Sequence, residues 1–229
     1  MESKNLKKLK TIIFTLFLGT IFGIIFGLFV SRKFTLVPFF RKIMPIESML
    51  IVFLSNSFLA TLICYGGIFF SLTEIRVYSF STYKFFDRFF NPFYNFLGKF
   101  SEKIKRLKPM YRSCYFSLFY FPLGCVFLFS FLISSFFSIF ISILGFSVLY
   151  NLVKLFPHIF LETFVFSFSA FQALVISEKI EKYLFDERVE EYKKMAMKLL
   201  KDRKTWKKLL ACYSILFFSS ILEKIFIEI

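Results

Sequence analysis

Histidine occurs once in this chain, tryptophan once, proline six times and glycine eight times, and acidic residues number half the basic ones, 15 against 30. Each scarcity removes a class of explanation. One histidine with one carboxylate near it falls short of the three or four ligands that zinc needs, and the four cysteines (Cys64, Cys114, Cys125 and Cys212) form no CxxC pair. The cysteines lie in or beside apolar runs and read as small buried hydrophobes. No Ser or Cys sits in a motif that would pair it with His158 for nucleophilic catalysis, and no Gly-rich phosphate loop is present. The longest segments between apolar runs have 40 and 31 residues, too short for a soluble catalytic domain. The expectation is therefore a chain without enzymatic activity, metal or cofactor.

What the chain has in excess is apolar surface. Of its 229 residues, 57% are hydrophobic and 40 are Phe, with a mean hydropathy of +0.68. Ordinary globular chains are about 45 to 50% apolar. The charges fall in blocks between long uncharged runs, which is the pattern of a polytopic membrane protein. The fold class expected is all-α, a membrane helix bundle of about five spans forming one integral membrane domain over 1–229, with amphipathic interfacial helices.

The first run, Thr11–Val30, follows four lysines and has 20 residues, enough for the roughly 30 Å hydrocarbon core at 1.5 Å per residue. No A-x-A cleavage pattern follows it, so this span is expected to be retained. The other spans are expected at 48–72, 113–140, 155–177 and 206–222. The 41 residues between Arg112 and Lys154 carry no charge, too many for one span and barely enough for two. Pro122 and Gly124 fall early enough to kink a single helix there, and residues 141–156 could hold a short re-entrant piece before Pro157 opens the next helix. The last run is the shortest and reaches 17 residues only if Trp206 lies at the interface and Lys207 and Lys208 snorkel.

Basic residues set orientation through the positive-inside rule. Five spans with the N-terminus inside place 24 Lys and Arg in the cytoplasm, on the N-tail, 73–112 and 178–208, against six outside. Splitting the third run into two spans gives 15 against 15. The reading is thus a cell-membrane protein, multi-pass, with N-terminus cytoplasmic and C-terminus external. Its net charge of +15 is assigned to orientation and to anionic headgroups on the cytoplasmic side, not to nucleic acid. Aromatics interleave with basic residues in YKFFDRFFNPFYNFLGKF, which next to membrane spans reads as a segment in the headgroup layer. Segment 178–208 reads as a surface helix packed on membrane or partner through Ile180, Leu184, Tyr192, Met195, Leu199 and Leu200.

Two features point inward. Gly19, Gly23 and Gly27 are spaced by four, lining one face of span one where another helix can approach closely. Ser130, Ser134, Ser138 and Ser142 repeat the device in span three, as do Ser169, Ala173 and Ser177 in span four. Such stripes serve packing within one subunit or a homo-oligomer. The second feature is His158 with Glu162, the only His and the only acidic residue within an expected span, which at i and i+4 share a helix face. An intramembrane carboxylate costs about 2.5 to 3.5 kcal/mol and so needs a partner. The pair could form an ion or proton site, a partner pocket, a catalytic pair or a polar clamp reaching Asn56 of span two.

These residues carry a family resemblance. Phe156-Pro157-His158-Ile159-Phe160-Leu161-Glu162 resembles the Pro-His-Gly-Ile-Phe-Glu-Leu-Pro-Ala signature of the stage II sporulation protein M family. Pro157 and His158 match it directly, Glu162 matches with a shift, and Ile159 stands where the family has Gly. The stretch IVFLSNSFLATLICYGGIFF, with Asn56 and the Gly66-Gly67 pair, is similar to that family's Asn-containing helix. The resemblance implies a five-span, non-enzymatic membrane scaffold that gathers protein partners, with Asn56, Pro157, His158 and Glu162 supporting the bundle or a partner site. The alternative from the residues themselves is a transporter or permease component that uses Glu162 as an intramembrane ion or proton site.

Overall fold

The computed structural model describes residues 2–31, 46–78, 88, 92, 95, 105–144 and 156–228. Among these the chain is all-α: α1 (Glu2–Ser31), α2 (Ile46–Tyr78), α3 (Pro109–Leu144), α4 (Phe156–Phe185), α5 (Val189–Leu200) and α6 (Arg203–Glu228). Helices α1 to α4 are long and apolar enough to cross a membrane, over Lys4–Ser31, Met49–Val77, Tyr111–Ser142 and Phe156–Phe185. The fifth expected span, 206–222, forms the middle of α6. The re-entrant piece expected within 141–156 and most of the aromatic-basic segment 73–112 lie outside the described residues.

In lipid a helix must satisfy its own backbone, and its hydroxyls follow the same logic. Thr11, Thr15 and Thr20 each donate to the carbonyl one turn back, at 3.0, 2.8 and 2.9 Å. The chain packs as two compact units, one of residues 1–61, 123–171 and 207–229, the other of 62–122 and 172–206.

In the first unit the glycine stripe of α1 meets the serine stripe of α3. A Cβ added at Gly27 would lie 2.6 Å from the Ser135 carbonyl oxygen, and one at Gly19 or Gly23 would strike Ser130 or the Phe131 backbone. Residue numbers rise together along the two helices, so they run parallel, and Ser31 donates to Ser142 at 2.9 Å beyond the stripe. Helix α4 runs against α3, with Phe129 on Phe166 and Phe137 on Phe156. Helix α6 runs against α2, with Phe53 on Phe217 and Thr61 hydrogen-bonded to Tyr213.

In the second unit α3 continues without a break through Pro122, so the kink anticipated there leaves the helix whole. Proline has no N–H, which frees the carbonyl four residues back, that of Leu118. The Ser177 hydroxyl of α4 reaches that carbonyl at 2.9 Å and the Ala173 carbonyl of its own helix at 2.8 Å, so its one proton is shared between them. Gly67 lets α2 approach closely, since a Cβ there would lie 2.6 Å from the Ser117 carbonyl oxygen.

The segment 178–208 differs from the single surface helix expected. Helix α4 carries on past Ser177 to Phe185, because nothing in SEKIEKYLF breaks a helix. It ends in a Schellman turn, with Glu187 N–H on the Leu184 carbonyl and Arg188 N–H on that of Tyr183. Glu187 takes the left-handed position usually given to glycine, at φ 55°. Its carboxylate pairs with Lys108, which holds the Lys108 ammonium above its ordinary pKa. Helix α5 then seats Tyr192, Ala196 and Leu199, spaced by four and three, in the unit's core.

Candidate functional site: an intramembrane polar cluster

The first unit brings Asn56, His158 and Glu162 together and adds two residues from α6. Asn56 Nδ2 of α2 donates to Glu162 Oε1. One turn before Glu162, His158 places Nε2 3.7 Å from Glu162 Oε2 and 3.8 Å from Glu223 Oε2. Ser219 Oγ lies 2.9 Å from His158 Nδ1 and donates to the His158 carbonyl oxygen at 3.2 Å. His158 and Glu162 are buried, and the Glu223 side chain is 21% exposed. Pro157, at the start of α4, is exposed and stands apart from the cluster.

The Ser219 hydroxyl lies within hydrogen-bond reach of both Nδ1 and the carbonyl oxygen of His158 and has one proton to give, so the role of Nδ1 follows the tautomer. With the ring proton on Nε2, the imidazole turns an N–H toward both carboxylates; with it on Nδ1, the ring donates to Ser219. The separations of 3.7 and 3.8 Å are ion-pair distances, too long for direct hydrogen bonds. The arrangement can brace three helices, and it can hold a proton.

Glu223 and Ser219 were not anticipated: Glu223 falls one residue beyond the expected span 206–222, and Ser219 lies within it. A second polar set in the other unit was missed as well. There Glu74 accepts from Ser117 at 2.9 Å, Ser71 shares a hydrogen bond with Tyr192, and Cys114 Sγ lies 3.6 Å from the Ser71 carbonyl. Burial pushes the Tyr192 phenol well above its ordinary pKa. This set ties α2, α3 and α5. Of the small-residue stripes, Gly19, Gly23 and Gly27 meet Ser130, Ser134 and Ser138 directly, while Ser142 contributes through Ser31. Ser169 and Ala173 are buried, as are Cys64, Cys114 and Cys212. Compared with protein-family models, with curated proteins and with solved structures, the chain finds no match in any of the three.

Proposed function

We propose that this chain is a non-enzymatic multi-pass protein of the cell membrane that acts as a scaffold or partner-organising subunit, the role its resemblance to the stage II sporulation protein M family implies. One observation carries the reading. Asn56, His158 and Glu162, the intramembrane residues best suited to chemistry, are bonded to one another and to Ser219 and Glu223, so that they brace α2, α4 and α6. The chain crosses five times, with its N-terminus in the cytoplasm, its C-terminus outside and its basic segments facing anionic headgroups and protein partners or a second copy. Helix α6 supports the fifth crossing: within the first unit it runs opposite to α2, alongside residues 53–61 of α2's apolar run.

A second reading, a transport component with Glu162 as proton or cation site, is favoured by Glu223, which puts two carboxylates around one imidazole. Purified protein in liposomes under a pH gradient separates the two. The brace predicts that Asn56→Ala loses about 1 to 3 kcal/mol of stability, the cost of a buried acceptor left unsatisfied, and that Glu162→Gln leaves proton flux unchanged. A flux that disappears in folded Glu162→Gln moves the transport reading to first place.

A further inference from the structure

The apolar side of α5 is turned into the core of the second unit, which leaves the opposite side to meet whatever surrounds the protein. Tyr192, Ala196 and Leu199 are buried. Lys194, Lys198 and Lys201, spaced by four and three, share the opposite face and are exposed, as are Arg203 and Lys204 at the turn into α6. The acids of this stretch are engaged elsewhere. Glu190 pairs with Lys193 at 2.8 Å, Glu191 with Arg188 at 3.5 Å, and Asp202 accepts from the Lys204 backbone N–H and the Thr205 hydroxyl. From Lys194 onward the outer surface is therefore cationic, with the exposed Met197 side chain beside the lysines.

Contacts with α2 set the level at which this surface lies. The Tyr192 hydroxyl shares a hydrogen bond with Ser71, and the Trp206 ring stands 5.3 Å from that of Tyr65. The indole N–H bonds the Leu200 carbonyl at 2.7 Å, which ties the exposed Trp206 to the end of α5. Ser71 is near the end of the uncharged run of α2, which stops at Glu74, and Tyr65 lies six residues, about 9 Å, further into it. Helix α5 thus runs along the flank of α2 and not across its end. Its lysines face sideways, away from α2, at the border between hydrocarbon and headgroups.

A cation directed sideways at that border meets lipid phosphates before it meets anything dissolved in water. We propose that the outer face of α5 and the turn after it bind anionic phospholipid, the phosphates held by Lys194, Lys198, Lys201, Arg203 and Lys204, with Met197 and Trp206 against the acyl chains. The inference deepens the assignment of the basic segments to anionic headgroups by giving it a place, and it rests on the reading of α2 as a membrane span. It needs neither a crossing by α6 nor a scaffold role. An acidic soluble protein is the poorer fit, because it would have to enter the headgroup layer to reach a face that looks along the membrane.

Trp206 is the only tryptophan of the chain, so its fluorescence reports on this surface alone. The test reconstitutes the full chain in phosphatidylcholine vesicles in which a varied minor fraction of lipid carries brominated acyl chains, as phosphatidylglycerol or as phosphatidylcholine. Quenching against lipid fraction gives a relative association constant, expected to favour phosphatidylglycerol by about fivefold or more and to fall as salt screens the charges. Lys194→Gln, Lys198→Gln and Lys201→Gln combined should bring the two lipids close to equality while both still quench. The same replacements at Lys4, Lys7 and Lys10 should leave the preference unchanged. All six side chains are exposed, so these variants keep the packed core intact. Equal quenching of the wild type by the two lipids overturns the proposal, as does a preference that survives the α5 replacements or is indifferent to salt. Quenching by neither lipid also overturns it, because Trp206 would then face water or a protein. The scaffold reading is tested by proton flux, so the two can fail separately.

Discussion

At the scale of single residues, Asp202 is the clearest case of one side chain deciding where an element begins. It precedes the first residue of α6, and its carboxylate accepts from the Lys204 backbone N–H at 3.3 Å and the Thr205 hydroxyl at 2.8 Å. The Thr205 hydroxyl first, and then the backbone N–H groups, hold its pKa below the ordinary carboxylate value. A depressed carboxylate contributes stability that is present above its unfolded pKa of about 3.9 and is lost as pH falls through the folded value. Asp202→Ala should therefore cost about 0.5 to 2 kcal/mol at neutral pH. In thermal unfolding in detergent, the gap between wild type and variant should close below about pH 4; a gap that persists at acid pH would show that the cap is not the cause. His158 and Glu162 were legible beforehand because spacing by four fixes them on one helix face. Ser219 and Glu223 have the same spacing on α6 and offered the same signal. What the chain could not disclose is which face of α6 meets α4, since that depends on packing between residues more than 60 positions apart.

At the scale of elements, Pro122 and Ser177 show how a broken rule on one helix is repaired from another. Pro122 deprives the Leu118 carbonyl of its helical donor, and the Ser177 hydroxyl, shared with the Ala173 carbonyl, supplies one. Ser177→Ala should then cost about 1 to 3 kcal/mol. In a Pro122→Ala background, where the backbone bond can form, the same change should be nearly neutral. A double-mutant cycle in unfolding experiments reads this coupling, and additive losses would refute it. The glycines separate by contact in the same way. A Cβ at Gly23 meets the α3 backbone, whereas one at Gly124 has nothing within 4 Å. Gly23→Ala should destabilise by about 1 to 3 kcal/mol through overpacking, and Gly124→Ala should be neutral or gain up to about 1 kcal/mol from helix propensity; equal effects at the two sites would remove the packing explanation. Both stripes could be seen in the one-letter string, yet their pairing could not, because spacing says which residues share a face and not what that face touches. The division of 178–208 was hidden for another reason. Its break falls at Asp186-Glu187-Arg188, where no Gly or Pro marks it and a left-handed glutamate is held by Lys108.

At the scale of the whole molecule, the open question is whether α6 completes the set of crossings. Among the described residues, four helices have the length and apolarity to cross on their own. Helix α6 carries Glu223 and Lys224 near its end, and its central apolar run of 14 residues is short for an isolated span. Its surroundings compensate. Glu223 does not face lipid alone but lies 3.8 Å from His158, and Tyr213 is bonded to Thr61. Polar groups tied inside a bundle lower the cost of insertion that would exclude the same sequence as a lone helix. A fifth crossing also sets the final count of basic residues at 24 inside against six outside, the imbalance the positive-inside rule favours. Single-cysteine labelling in sealed native membranes checks it. A probe at Lys201 should react only from the cytoplasmic side, and one at Ile229 only from outside. The brace adds a further expectation: Glu223→Gln, which keeps the shape but removes the charge facing His158, should leave Ile229 outside in most molecules and raise the minority in which it labels from within. Labelling of Lys201 and Ile229 from the same side in the wild type would mean that α6 lies along the membrane and the chain crosses four times.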